Sequence, residues 1–121
     1  MDRIKTGALG EKLAAGLLKK RGYRIVETNY RCRGGEIDIV ARHKEYLVFV
    51  EVRTKTSLDY GTPEESVTLA KQARMRRAAR QYCQTHQKVP ELWRIDFVAV
   101  ELNDKGQAKR IEIIESAVGE G

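Results

Sequence analysis

The sequence lacks several features that would assign it to common classes of protein. It has two cysteines in 121 residues and no Cys-x-x-Cys pair, so it indicates neither a disulfide framework nor a structural zinc site. Its two histidines are isolated. No apolar run approaches the roughly 20 residues of a membrane span, and the opening MDRIKTGALG lacks a signal-peptide pattern. We therefore expect a cytoplasmic protein with no membrane partner.

The length and charge of the chain indicate how many domains it forms and what kind of partner it binds. The 121 residues suit one domain with one core, and we predict that domain over residues 1–115, followed by a disordered tail over 116–121. The net charge is +6 and the pI is near 9.5. An excess of positive charge permits binding to a polyanion, of which nucleic acid is the commonest.

The central feature is the segment GGEIDIVARHKEYLVFVEVR at residues 34–53, which predicts a β-hairpin. Its two arms alternate in polarity on either side of a polar His-Lys-Glu turn. Antiparallel pairing across that turn sets Asp38 opposite Glu51. The same pairing sets Glu36 opposite Arg53.

Alternation places six apolar residues on one face of the hairpin, and this face is predicted to be core. They are Ile37, Ile39, Ala41, Val48, Val50 and Val52. The other face is apolar near the turn, at Val40, Leu47 and Phe49, and charged at the far end.

The opposed carboxylates of that charged end point to a cation site. Like charges directly opposite each other in a sheet are unfavourable by roughly 0.2–1 kcal/mol. A divalent, oxygen-seeking cation such as Mg²⁺ between Asp38 and Glu51 would remove this repulsion. The alternative is that both acids point into water and Arg53 neutralises them. The clustering of four charges at one end of otherwise apolar strands favours the cation site.

A first helix is predicted over residues 6–21, where apolar residues recur at helical spacing. They are Leu9, Leu13, Ala14, Leu17 and Leu18. Gly22 can end this helix. Glu11 lies at the margin of the apolar arc, where it either reaches inward or is an ordinary solvent-facing glutamate.

The segments that flank the hairpin carry basic residues. A short strand is predicted over 23–29, and the connection that follows holds Arg31 and Arg33. These arginines either contact phosphates or are ordinary loop charges. After the hairpin comes an aperiodic loop with Lys55, Tyr60 and Gly61, a plausible place for substrate contacts.

The Thr62-Pro63-Glu64-Glu65 segment predicts the start of a second helix that runs to about residue 85. One side of its helical wheel is apolar: Val67, Met75, Ala78, Ala79, Tyr82 and Cys83. The other side carries Arg74, Arg76, Arg77 and Arg80. These arginines are either a footprint for a phosphate backbone or a solvated face.

Lys71 falls inside the apolar arc of this second helix. A lysine at such a position must extend its ammonium to solvent or meet a carboxylate. We therefore regard it as a candidate for reaching the acidic end of the hairpin.

Two further strands complete the chain. Alternation predicts a fourth strand over 93–102, with Trp93, Ile95 and Phe97 on one face and Val98, Val100 and Leu102 on the other, together with Asp96. A last strand is predicted over 109–115. The order α-β-β-β-α-β(-β) predicts a single-domain α/β sandwich around a mixed sheet.

These residues resemble two known groups of proteins. The pattern is an acidic residue on the first helix, then an aspartate and a Glu-x-basic pair on a hairpin, then a basic helix. It resembles the PD-(D/E)XK nuclease superfamily, which has the restriction-endonuclease-like fold and includes archaeal Holliday junction resolvases. GALGEKLAAGLLKKRGY, NYRCRGGEIDIVA, LVFVEVRTKT and GTPEESV more closely resemble the YraN-like uncharacterised bacterial family. The second resemblance extends to about residue 115.

The resemblance implies roles for particular acids. It puts Asp38 and Glu51 in the positions that bind Mg²⁺ or Mn²⁺, with Glu36 as an auxiliary acid. Glu11 matches the helix glutamate of the resolvase-like members. The implied chemistry is phosphodiester hydrolysis, in which the metal polarises the scissile phosphate and lowers the pKa of a water.

Arg53 departs from the superfamily pattern, which usually has lysine at that position. Arginine stays protonated and cannot act as a base, although it can hold a phosphate through two hydrogen bonds. Lys71 and Lys55 are the two candidates to supply the missing ammonium.

Three functional interpretations follow. The leading one is a nucleic-acid-binding protein with a nuclease fold that acts as a Mg²⁺-dependent, structure-selective endonuclease. The expected substrate is DNA. A homodimer is expected by analogy with junction resolvases. The second is an inactive nucleic-acid-binding module, favoured by Arg53. The third is a protein-interaction adaptor whose hairpin acids are structural.

Overall fold

The computed structural model describes residues 3–57 and 60–118. Its elements are α1 (Arg3–Lys20), β1 (Arg24–Cys32), β2 (Gly35–His43), β3 (Tyr46–Thr56), a 3₁₀ turn (Glu64–Ser66), α2 (Leu69–Thr85), β4 (Trp93–Leu102) and β5 (Ala108–Val118). This order confirms the predicted α/β domain with its mixed sheet. No described helix is long and apolar enough to cross a membrane.

The five strands form one sheet in the order β1-β2-β3-β4-β5. Neighbouring strands are antiparallel except β3 and β4, which are parallel because α2 carries the chain back across the sheet. One buried cluster holds α2 residues such as Tyr82 together with Phe49, and the other holds Leu18 of α1 together with Val50. The two helices therefore cover opposite faces of the sheet.

The register of the predicted hairpin is confirmed over residues 39–43 and 46–50, but the predicted pair of Glu36 with Arg53 does not form, because Glu36 pairs with Arg31 of β1. Ile39 pairs with Val50 and Val40 with Phe49, which is the pairing that the sequence predicts. The hydrogen-bonded ladder ends at Ile39–Val50. Asp38 and Glu51 are therefore the first residues beyond the ladder on each arm.

The predicted face of Ile37 is wrong. Ile37 packs with the α2-facing cluster, whereas Ile39 packs with the α1-facing cluster. The pairs Thr28–Ile39 and Tyr30–Ile37 leave Asn29 opposite Asp38. Asn29 has a left-handed backbone with φ 54°, and it lies opposite the point at which the alternation of β2 changes.

The beginning of the second helix also differs from its prediction. The Thr62 hydroxyl accepts the Glu65 N–H, as a helix cap would, but the turn that follows is a 3₁₀ turn of three residues. Val67 is extended, and α2 begins after Thr68, whose hydroxyl accepts the Lys71 N–H. Thr68 is a second residue of a type able to cap a helix, and its hydroxyl, not that of Thr62, caps α2.

Several strands are longer than predicted. β1 continues to Cys32, β3 continues to Thr56, and β5 continues to Val118. The predicted tail therefore includes three residues, 116–118, that belong to β5, and Val118 is buried. Residues 119–121 lie outside the described residues.

Helix α1 approaches β3 closely at one point. A Cβ built on Gly10 would lie 1.9 Å from the Thr54 hydroxyl oxygen. Only glycine fits this contact without a shift of the helix or of Thr54. The close approach brings the next residue, Glu11, toward the charged end of the hairpin.

Candidate functional site

Glu51 is a buried carboxyl group at the end of the hairpin ladder, with 6% of its surface exposed. Burial raises the pKa of Glu51 to about 8, and the hydrogen bond and charge of Asp38 add to the rise, which Lys71 opposes. Asp38 is half-buried, and its Oδ2 accepts the Val52 N–H at 2.8 Å. The predicted pair of acids is therefore brought together, with Asp38 fixed by the backbone of the partner strand.

Lys71 extends from α2 to this pair. Its Nζ lies 3.3 Å from Oε2 of Glu51. This agrees with the prediction that a lysine inside the apolar arc of the helix meets a carboxylate. The ammonium is partly solvent-exposed, with a side-chain exposure of 38%, so a ligand can reach it from the surface.

Arg53 lies beside the same carboxyl group without a close ion pair. Its Nη1 is 3.9 Å from Oε2 of Glu51. Its Nε donates to the Ser66 hydroxyl at 2.9 Å, and that hydroxyl donates to the Pro63 carbonyl. The 3₁₀ turn therefore fixes the direction in which the guanidinium points.

Glu11 and Glu36 lie near the Asp38–Glu51 pair. Burial raises the pKa of Glu11, and the negative charges of Asp38 and Glu36 add to that rise. Glu11 therefore reaches inward, as one of the two interpretations of the sequence expected. Glu36 is largely exposed and lies 3.6 Å from Arg31 in an ion pair, so the structure does not bring it into the Asp38–Glu51 pair.

A cleft of about 340 Å³ opens over Glu51. We call it the Glu51 cleft. Its lining comprises Arg31, Cys32, Gly35, Glu36, Glu51, Lys71, Arg74 and Met75. The cleft therefore combines a buried acid with three cationic side chains at its rim.

The turn between β1 and β2 brings part of the basic surface to this cleft. A Cβ on Gly34 would lie 3.3 Å from Cβ of Arg77, and one on Gly35 would lie 3.3 Å from the Arg74 carbonyl oxygen. Gly35 also has φ 151°. The two glycines thus let the turn, which carries exposed Arg33, lie directly against α2.

The predicted nucleic-acid contacts divide into separate locations. Arg31 and Arg74 line the Glu51 cleft, and Lys55 lies in a different cleft, formed with Tyr60. The remaining four are Arg33, Arg76, Arg77 and Arg80, none of which lines either cleft. A role for these residues in binding nucleic acid stays a prediction.

The donor set fits Mg²⁺ as a site with two carboxylates. No group of three or more His, Cys, Asp or Glu side chains among residues 3–57 and 60–118 could hold a metal ion. Mg²⁺, however, is commonly bound through one or two carboxylates plus waters and substrate phosphates. Asp38 and Glu51 supply that number, and the repulsion reflected in the raised pKa of Glu51 is what a bound cation would relieve.

Sequence reasoning missed a group of ion pairs that supports the 3₁₀ turn. Arg110 of β5 donates to both carboxylate oxygens of Glu64, at 2.7 and 3.2 Å, and also to Glu101 and Glu112. Glu64 begins the turn that carries Ser66. The sequence signal for these ion pairs was the alternating charge in the last two strands. That pattern does not indicate that Arg110 contacts Glu64 in the turn.

A second missed network surrounds Asp96 of β4, which pairs with Val50 of β3. Asp96 is fully buried, and it accepts hydrogen bonds from the Tyr23 hydroxyl, Arg94 and the Ser116 N–H. Because every one of these groups has a partner, this network stabilises the fold.

A family model described as "Uncharacterised protein family UPF0102" matches residues 10–100 of the chain. The chain belongs to this family. A UPF0102 protein of Dehalococcoides mccartyi is 50% identical over 119 residues, covering 98% of this chain and 97% of the relative. A UPF0102 protein of Moorella thermoacetica is 46% identical over 117 residues, covering 97% and 98%. These matches confirm the resemblance to the YraN-like bacterial family, and UPF0102 relatives match along nearly their whole length.

Proposed function

We propose that this UPF0102 protein is a metal-dependent nuclease that hydrolyses phosphodiester bonds in nucleic acid. The observation that carries the proposal is the ammonium of Lys71, 3.3 Å from the buried carboxyl group of Glu51 beside Asp38. Two adjacent acids and one fixed ammonium at a cleft are a donor set suited to a phosphate and a divalent cation.

Asp38 and Glu51 would hold Mg²⁺ or Mn²⁺. When bound, the cation would polarise the scissile phosphate and lower the pKa of the attacking water. Asp38 is suited to this role because the Val52 N–H fixes its carboxylate. Glu51 is suited because its buried side chain lines the cleft.

Lys71 would take the place of the lysine that the PD-(D/E)XK pattern has on the hairpin. Its ammonium stabilises the negative charge that builds on the phosphate oxygens as the water adds to phosphorus and the P–O ester bond breaks. The products are a phosphate monoester and a free hydroxyl group. Arg53 keeps its proton throughout and orients the phosphate, with Ser66 holding its Nε.

A second candidate function is an inactive nucleic-acid-binding module. The observation that favours it is the same ion pair considered without metal, because Lys71 neutralises Glu51 directly. Arg53 in place of lysine favours this alternative as well. In that case Asp38 and Glu51 would be structural, and the basic rim of the Glu51 cleft would bind phosphates without turnover.

The partner in both proposals is nucleic acid, with DNA as the first candidate by resemblance to resolvases. Binding through phosphates weakens as salt rises because counterions compete for the same contacts. A homodimer would present two Glu51 clefts to a two-fold symmetric junction. Both the DNA substrate and the homodimer are proposed by analogy with the fold of the resolvases.

The test is a cleavage assay on labelled linear, flapped and four-way-junction DNA and on single-stranded RNA. Each substrate is incubated with Mg²⁺ or Mn²⁺, and binding is measured in parallel at low and high salt. Metal-dependent cleavage supports the nuclease. Salt-sensitive binding with no cleavage supports the binding module, and absence of binding at low salt overturns both.

A further inference from the structure

A second cleft lies on the other side of Arg53 from the Glu51 cleft. It has a volume of about 340 Å³ and is lined by Lys55, Tyr60, Gly61, Thr62, Glu65 and Ser66. We call it the Tyr60 cleft. Arg53 joins the two clefts, because its Nε contacts Ser66 and its Nη1 lies 3.9 Å from Glu51.

Strand β3 connects the same two places. Side chains two residues apart share one face of a strand, so Glu51, Arg53 and Lys55 project to the same side. The rise of about 3.3 Å per residue puts the Cα of Lys55 about 13 Å from that of Glu51. A ligand whose phosphate lies at the Glu51 cleft would therefore extend past Arg53 toward Lys55 if it runs along the strand.

The lining of the Tyr60 cleft offers groups that match the parts of a nucleotide. Lys55 supplies an ammonium for a phosphate. Tyr60 is 96% exposed, and an exposed aromatic ring can stack on a base. The carboxylate of Glu65 can accept from the amino group of cytosine or adenine.

The backbone of the loop approaches the carboxylate of Glu65 at Gly61, the residue next to Tyr60. Gly61 has φ 76°, a conformation that favours glycine, and a Cβ there would lie 3.0 Å from Oε2 of Glu65. The turn at Gly61 thus lies against Glu65 and leaves the neighbouring Tyr60 ring in solvent. A repulsive acid within a phosphate site would be unfavourable, so the base belongs at Glu65 and the phosphate at Lys55.

We propose that the Tyr60 cleft binds an unpaired nucleotide next to the scissile phosphate, with its base on Tyr60 and its phosphate on Lys55. The position of the scissile phosphate rests on the proposed nuclease function. A base inside a duplex is covered by its neighbours and must leave the stack to reach an aromatic side chain. The substrate class is therefore single-stranded nucleic acid, or the single-stranded arm of a flap or junction.

The test compares binding of a labelled single strand with binding of a duplex of the same sequence, by fluorescence anisotropy in EDTA so that nothing is cleaved. The variants are Tyr60→Ala, Tyr60→Phe and a control, Leu92→Ala, which removes an exposed apolar side chain at the opposite end of β3. Loss of base stacking should weaken single-strand binding by Tyr60→Ala about 5- to 100-fold. Tyr60→Phe and Leu92→Ala should bind as the wild type does, and the duplex affinity should be unchanged.

An affinity of Tyr60→Ala for the single strand equal to that of the wild type overturns this inference and leaves the proposed nuclease standing. Equal losses for single strand and duplex also overturn it, since they indicate a general contact. If the wild type binds neither nucleic acid at low salt, both this inference and the proposed function fail.

Discussion

Lys71 and Glu51 form an ion pair between α2 and β3, with Nζ 3.3 Å from Oε2. The two residues are 20 positions apart in the chain, and the parallel β3–β4 crossover brings them together. The carboxyl group is buried while the ammonium is partly exposed. Lys71 can therefore exchange part of its contact with Glu51 for a phosphate oxygen without leaving the site.

Replacing Lys71 should abolish most of the proposed cleavage and leave the fold intact. Loss of one group that stabilises charge in a transition state typically lowers the rate about 10²- to 10³-fold. We expect a loss of that size in Lys71→Met, measured as single-turnover cleavage. Lys105→Met, in the exposed β4–β5 turn, should be as active as the wild type, and unchanged cleavage by Lys71→Met would remove Lys71 from the site.

Replacing Arg53 by lysine, the usual residue of the PD-(D/E)XK pattern, should not raise the cleavage activity. The Nε–H of Arg53 donates a hydrogen bond to the Ser66 hydroxyl. The lysine side chain has no N–H group at the equivalent position before its terminal ammonium. Because Lys71 already supplies the ammonium, we expect Arg53→Lys to cleave at the wild-type rate or more slowly. A rate above that of the wild type would show that the hairpin position, and not Lys71, is where this chemistry requires lysine.

The buried acid should make the metal-free protein less stable in alkaline solution. The folded-state pKa of Glu51 is about 8, above its ordinary value of 4.5. The stabilisation from the protonated form is therefore complete below about pH 4.5 and lost as pH rises through about 8. Because one pKa unit corresponds to about 1.4 kcal/mol, the wild type should lose on the order of a few kcal/mol between about pH 5 and about pH 9.

Urea unfolding in EDTA at these two pH values measures that loss. Glu51→Gln should lose less stability than the wild type over the same interval, because the amide cannot ionise. Glu45→Gln, at an exposed position in the β2–β3 turn, is the matched control and should behave as the wild type does. A loss in Glu51→Gln as large as that in the wild type would mean that another group is responsible.

The ion pairs of Arg110 should stabilise the turn that orients Arg53. Arg110 holds Glu64 through two hydrogen bonds, and contacting residues in such a network usually couple by about 0.5–3 kcal/mol. We expect a coupling in this range from a double-mutant cycle of Arg110→Met and Glu64→Gln, measured by urea unfolding. Strictly additive effects would mean that the turn keeps its position without β5.

Local patterns in the sequence were sufficient for the hairpin. Alternation and the polar turn determine its register, and hence the proximity of Asp38 and Glu51. The helical wheel was sufficient for Lys71, because an ammonium inside an apolar arc requires a partner. In both cases the deciding information lies within a short stretch of chain.

The features that could not be predicted from the sequence depend on contacts between distant segments. Arg110 meets Glu64 across 46 positions, and Arg53 meets Ser66 through a turn whose cap competes with Thr68. The shift of Ile37 to the other face occurs where the neighbouring strand has the left-handed residue Asn29. The pattern of residues within one helix or strand does not indicate which residue of another element it contacts.

The most direct measurement is single-turnover cleavage of the nucleic-acid panel by the wild type and by an Asp38→Asn, Glu51→Gln double variant purified identically. Asparagine retains an oxygen for the Val52 N–H, so the variant should fold. We expect Mg²⁺- or Mn²⁺-dependent cleavage by the wild type, stopped by EDTA and absent from the variant. Equal cleavage by both proteins, or none by either, would contradict this expectation.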